Sequence, residues 1–152
     1  MRCPPRPPHR RCGRGAGDVT TGRSAMPVEL NHTIVAASDK KASADFLASI
    51  LGLTVGAPYG PFLPVETGNG VTLDFMDHGG PITPQHYAFL ISEEEFDAIF
   101  ERIRQAGITY YADPGHRQPG RINRNDGGRG LYFEDPDRHN LEIITRPYGS
   151  GG

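Results

Sequence analysis

Residues 85–108 read QHYAFLISEEEFDAIFERIRQAGI, and residues 30–53 read LNHTIVAASDKKASADFLASILGL. In the later stretch Gln85–Ile91 has strand composition. Ser92 followed three residues on by Glu95 is a capping box, which satisfies two orphan amides at a helix start. Phe96, Ile99, Phe100 and Ile103 then recur at i, i+3, i+4 and i+7, the spacing of one buried helix face, and Gly107 ends the run. The earlier stretch has the same grammar. Leu30–Ala37 is a strand, Ser38-Asp39 caps a helix, and Ala42, Phe46, Leu47, Ile50 and Leu51 form its apolar stripe. Gly52 supplies the left-handed C′ residue that closes it.

The two stretches are copies. His32 to His86, Ser38 to Ser92, Asp39 to Glu93 and Phe46 to Phe100 are each 54 positions apart, and Gly52 to Gly107 is 55. Working outward, Gly- and Pro-punctuated strands follow each helix: Thr54–Ala57, Phe62–Glu66 and Val71–Met76 after the first, and Ile108–Ala112, Gly130–Glu134 and Asn140–Thr145 after the second. Leu73-Asp74-Phe75 corresponds to Leu141-Glu142-Ile143 at an offset of 68, so the second copy is 14 residues longer. The surplus lies in Asp113–Arg129, a polar stretch without periodicity and of the length that loops with a function reach. The sequence therefore predicts an α+β fold of two tandem βαβββ modules, 28–77 and 84–147, within one domain over 26–147.

The flanks are of other material. Residues 1–25 hold six Arg, four Pro and four Gly with Asp18 as the only acid, and both cysteines of the chain, Cys3 and Cys12. They cannot bury a core and are read as a disordered extension, with Met26 as the natural start. Without them the basic residues fall from 16 to 10 and the acidic from 18 to 17, leaving about −7 on the body. That charge argues against nucleic acid as a partner. No run approaches a membrane span. A cysteine-free body fits a reducing cytoplasm. Residues 148–152 read as a flexible tail.

Ionisable residues recur at equivalent places. Strand alternation puts His32 with Ile34 and Ala36, His86 with Ala88 and Leu90, Asp74 with Thr72 and Met76, and Glu142 with Asn140 and Ile144. If pseudo-twofold packing joins the sheets, His32, His86, Glu142 and the shorter Asp74 meet in one cavity. Two imidazoles and a carboxylate suit a divalent cation, with Fe(II), Mn, Ni and Zn all compatible. The competing reading of each residue is structural: a hydrogen-bonded strand histidine, an edge glutamate, an aspartate paired with arginine. His139 is out of phase with Glu142 and is expected on the outer face. Arg138 sits in the Asp-Pro-Asp turn.

The stretches 30–53, 85–108 and 128–147 together resemble the vicinal oxygen chelate superfamily, which groups glyoxalase I, extradiol dioxygenases, fosfomycin-resistance enzymes and bleomycin-resistance proteins. The resemblance implies paired βαβββ modules forming an open, cupped mixed sheet around a metal. It places His32, His86 and Glu142 at the ligand positions and Asp74 where glyoxalase I has a fourth ligand. It also implies a small oxygenated substrate chelated to the metal. Tyr132 lies ten residues before Glu142, as a tyrosine does in extradiol enzymes, and either donates to a substrate oxygen or fills core. Those enzymes carry a His where this chain has Asn123, Arg124 and Asn125, and Gly or Pro in place of Arg138. Both departures argue against ring cleavage. His116 is a stand-in base, and Arg146 is the nearest cation for a phosphonate. The expectation is a metal-dependent enzyme of dioxygenase, lyase or isomerase type, with Tyr132 and Glu142 in the chemistry. The alternative is a metal-free binding or resistance protein. Modules of this family pair within or between chains, so a homodimer is within the reading.

Overall fold

The computed structural model describes residues 27–152; the Arg-rich extension over 1–25 and the start at Met26 lie outside them. The first module runs β1 (His32–Ala37), α1 (Lys40–Leu51), β2 (Phe62–Glu66) and β3 (Thr72–Asp77). The second runs β4 (His86–Leu90), α2 (Glu93–Gln105), β5 (Tyr110–Tyr111), β6 (Gly130–Glu134) and β7 (Asn140–Ile144). Helix ends fall where the capping residues stand. The Asp39 side chain accepts from the amides of Lys41 and Ala42, and Ser92 and Glu95 form the reciprocal box. Gly52 closes α1 at φ 75°.

Each module is its own sheet. The order is β1-β3-β2 in the first and β4-β7-β6-β5 in the second, with the opening strand parallel to its neighbour and the rest antiparallel. The two sheets share no ladder, so within one chain the expected cup is two sheets rather than one. In both, the first strand is an edge. Two expected strands shrink. Thr54–Ala57 survives as a single bridge, Val55 to Val65, because Pro58 and Pro61 bend the chain away. Ile108–Ala112 pairs only at Tyr110–Tyr111.

The core is continuous across the modules. Val35, Leu47, Val65, Leu73 and Phe75 of the first join Phe96, Ile103, Leu131, Phe133 and Ile143 of the second. Burying each large side chain contributes about 1.5–3 kcal/mol. Polar links tie the halves as well. Arg102 on α2 donates to Ile50 O at 2.9 Å, satisfying an orphan carbonyl at the end of α1. Asp137 accepts from Ser38 N at 3.1 Å and from Ser43 Oγ at 3.0 Å.

His139 corrects an expectation. It does lie opposite Glu142, but that face is covered, and the ring is 1% exposed. Gln85 N donates to its Nδ1 and its Nε2 donates to Ala36 O, both at 2.9 Å, so it bolts β1 to the start of β4. Arg138, beside it, takes φ +66° in the turn.

Candidate metal centre

β4 and β7 run parallel with His86 opposite Asn140 and Ala88 opposite Glu142. His86 and Glu142 are thus diagonal neighbours on one face, within reach of long side chains. On the other side of β7, Tyr132 of β6 stands directly opposite Glu142. The first module repeats this register: His32 is opposite Thr72, and Ile34 is opposite Asp74. The alternation read from the sequence is the alternation in the fold.

Glu142 is 1% exposed, yet both oxygens are engaged. Tyr148 donates to Oε1, and His86 Nε2 lies 3.1 Å from Oε2. The other ring nitrogen of His86, Nδ1, sits 2.9 Å from Asn140 O. A carbonyl only accepts, so Nδ1 carries a proton, and Nε2 is the ring nitrogen turned to Glu142. Two lone pairs at this distance repel unless a second proton or a cation lies between them. His32 is prepared alike, with Nδ1 2.8 Å from Asn31 Oδ1 and Nε2 free. A backbone or amide oxygen fixing the distal nitrogen is how metal-binding histidines are oriented.

Asp74 is also 1% exposed. Tyr59 donates to its Oδ2, while Oδ1 is buried with no hydrogen-bond partner. Such a carboxylate is costly to bury unless a donor or cation completes it. A cleft of about 310 Å³ holds Asp74, Tyr59, Glu66 and His32 together. The donor set, imidazole nitrogen plus carboxylate oxygen, fits a borderline divalent cation.

Within one chain these residues form two pairs, His86 with Glu142 and His32 with Asp74. Among the described residues no three His, Cys, Asp or Glu side chains converge in a geometry that could hold a metal ion. The reason is the sheet topology: register fixes who shares a face inside each module, and no ladder brings β1 against β4. A groove of about 620 Å³ is lined from both modules, by Leu30, Thr33 and Leu73 of the first and His86, Phe89 and Leu90 of the second.

The tyrosines are placed as neutral donors. Burial, then the hydrogen bonds to Glu142 and Tyr148, push the Tyr132 hydroxyl far above its ordinary range. Burial and Glu142 raise Tyr148, and the bond to Asp74 followed by burial raises Tyr59. Tyr132 spends its hydroxyl on Tyr148, 2.6 Å away. His116 stacks on Tyr111 at 4.1 Å and bonds Asn140 Oδ1 at 3.0 Å, so it is directed at the neighbour of the site rather than at Glu142. Arg146 bonds Ser150 O. Sequence reasoning missed Tyr148 and gave Tyr59 a packing role rather than a part in the chemistry; both stand in irregular segments where no period marks which side chain turns inward.

The Asp113–Arg129 segment is ordered by its own bonds. Asp113 accepts from Arg117 N at 2.9 Å and Gln118 N at 2.8 Å. Burial opposes its charge, but the Arg117 guanidinium and these amides outweigh it and hold the carboxyl below its usual value. No helix among the described residues is long and apolar enough to cross a membrane.

Known proteins share this fold. In a search of solved structures the chain matches Oxidase ChaP-H2 at 73% identity and a TM-score of 0.82, covering 84% of this chain and 100% of that one. It matches Oxidase ChaP-H1 at 63% identity and a TM-score of 0.79, covering 81% and 99%. Glutathione transferase FosA of Serratia marcescens is 33% identical over 124 residues, 78% of this chain and 81% of FosA. Residues 29–143 match the family model described as Glyoxalase/Bleomycin resistance protein/Dioxygenase superfamily, and the chain belongs to that superfamily.

Proposed function

We propose that this protein is a metal-dependent oxidase of a small oxygenated molecule, with His32, His86 and Glu142 as ligands and Asp74 as a fourth or water-linked one. The carrying observation is the His86–Glu142 pair: an imidazole Nε2 facing a buried carboxylate oxygen at 3.1 Å. Oxidase is favoured over thiol transfer because identity to the ChaP-H2 oxidase is 73% whereas identity to FosA is 33%.

The division of labour follows from position. His86 and Glu142 supply one nitrogen and one oxygen from one rigid ladder, and His32 supplies a nitrogen from β1. A divalent metal held by these residues would supply Lewis acidity toward the substrate oxygens, with dioxygen as the oxidant. Tyr132 and Tyr148, kept neutral, keep a proton on the Glu142 side of the site. The apolar groove wall shields a substrate from water.

A second copy of the chain completes the centre in this reading. Among the described residues β1 and β4 are both edges without a partner strand, and Ile34 and Leu90 on them are 49% and 61% exposed. Natural sheets rarely leave such edges bare. The module bearing His32 in one chain then meets the module bearing His86 and Glu142 in the other. Elemental analysis of purified protein tests the metal: one equivalent per chain is expected, and Glu142→Ala should lose it. A full equivalent retained by that variant refutes the ligand set. Oxygen uptake with a panel of catechols and hydroquinones tests the reaction, and glutathione addition to fosfomycin without oxygen uptake would favour the transferase instead.

A further inference from the structure

The last seven residues are seated on the body. Gly149 N and Gly151 N both donate to Asp126 Oδ1, at 3.1 and 3.2 Å. Arg146 Nη2 donates to Ser150 O at 3.3 Å, and Ser150 Oγ donates to Pro147 O at 2.6 Å. Gly151 lies so close to Asp126 that a Cβ there would stand 2.5 Å from its Cα. Gly149 takes φ +76° and Asp126 φ +53°. Asp126 belongs to the short 3-10 turn Asn125–Gly127, inside the segment by which the second module exceeds the first. The extra loop is therefore the anchor of a C-terminal strap, and the strap carries Tyr148, whose hydroxyl reaches Glu142 Oε1 and also meets Tyr132.

We propose that Tyr148 is a positioning residue for the metal centre: Asp126 pins the strap, the strap seats the Tyr148 hydroxyl on Glu142 Oε1, and Oε2 is left as the one carboxylate oxygen that faces His86 Nε2. The inference rests on the metal reading above. Its logic is geometric. A carboxylate free at both oxygens can chelate a cation through both. One whose Oε1 is held by a phenol offers a single oxygen, which keeps a further coordination position for substrate. Hydrogen-bonded partners of a ligating group change metal affinity by about 10- to 100-fold when removed.

The test is a titration of the metal-free full-length protein with Co(II), followed by its d–d absorption, which reports coordination number. Tyr148→Phe removes only the hydroxyl. Asp126→Ala and Gly151→Ala release the strap, and Tyr148 with it, without changing the chemistry of any side chain of the site. We expect Tyr148→Phe to change Co(II) affinity about tenfold, with the d–d spectrum shifted toward a higher coordination number as Oε1 is freed. Both strap variants should reproduce the shift, and Asp126→Ala added to Tyr148→Phe should change nothing more. Wild-type affinity and spectrum in Tyr148→Phe overturn the proposal, as do strap variants indistinguishable from wild type. If the wild-type chain takes up no Co(II), or Glu142→Ala binds it equally well, the metal reading itself falls and this inference with it. Far-UV circular dichroism of each variant separates these outcomes from unfolding.

Discussion

Mixing two inactive variants decides whether the centre is built from two chains. In His32→Ala the β1 ligand is gone; in Glu142→Ala the β7 ligand is gone. In a symmetric dimer each centre takes His32 from one chain and the His86–Glu142 pair from the other. A heterodimer of the two variants then has one centre lacking both ligands and one lacking neither. Random association makes about half of the dimers heterodimers, each with one intact centre of two, so about a quarter of the wild-type metal and activity returns. Co-expression with two different tags and sequential purification isolates the heterodimer, in which recovery rises to about half. The structure gives this number its force: His32 and Glu142 lie in sheets that share no ladder, and no three candidate ligands converge among the described residues of one chain. If metal content and activity stay at the level of the separate variants, the centre is not shared between chains in this way.

Other perturbations test the frame around the site. His139→Leu removes one donor and one acceptor from a buried position and leaves Ala36 O and Gln85 N unpaired, so urea denaturation should show a loss of about 2–4 kcal/mol; a loss below ~1 kcal/mol would mean the bolt is idle. Gly52→Ala forces a Cβ into a left-handed residue with Arg102 Nη1 3.1 Å away, and should lower stability by about 1–2 kcal/mol by the same measurement. Asp137 is partly desolvated, but the Ser38 amide and hydroxyl and Ser43 outweigh this and hold its carboxyl below the ordinary 3.8. A folded value below the unfolded one means stabilisation that is present above the unfolded value and lost as pH falls through the folded one. Between about pH 6 and 3 the wild type should therefore lose more stability than Asp137→Asn, and parallel curves would contradict the assignment.

How much of this was legible depends on which interactions have a period. The helix caps at Asp39 and Ser92, the stop at Gly52 and the doubled module all rest on local chemistry, and the fold uses each as read. The facing of His86 and Glu142 follows from strand alternation, which carries through a parallel ladder without knowledge of the rest of the chain. Alternation also put His139 opposite Glu142, but it cannot say whether that face meets solvent or another module. The strand expected at Thr54–Ala57 lost to Pro58 and Pro61, which leave room for a single bridge. Tyr59 and Tyr148 come from irregular backbone, where a side chain's direction is fixed by distant anchors such as Asp126.

The repeat carries one further consequence for the chemistry. Each module places a histidine at the start of its edge strand, an acid diagonal to it, and a tyrosine hydroxyl on that acid. Two identical modules would make two identical half-sites. They differ by one methylene. Glu142 reaches its histidine, with Oε2 at 3.1 Å from Nε2. Asp74 is shorter, shares a cleft with His32, and keeps an oxygen without a partner. On the metal reading this asymmetry sorts the halves: the second module supplies a preassembled nitrogen–oxygen pair, and the first supplies a nitrogen and a carboxylate held back from it. Restoring the methylene with Asp74→Glu should bring a fourth ligand, a second carboxylate oxygen, to the cation, tightening Co(II) binding and reducing oxygen uptake together, because the added ligand occupies a position that substrate needs. Unchanged Co(II) binding and turnover would show that this position stands outside the coordination sphere.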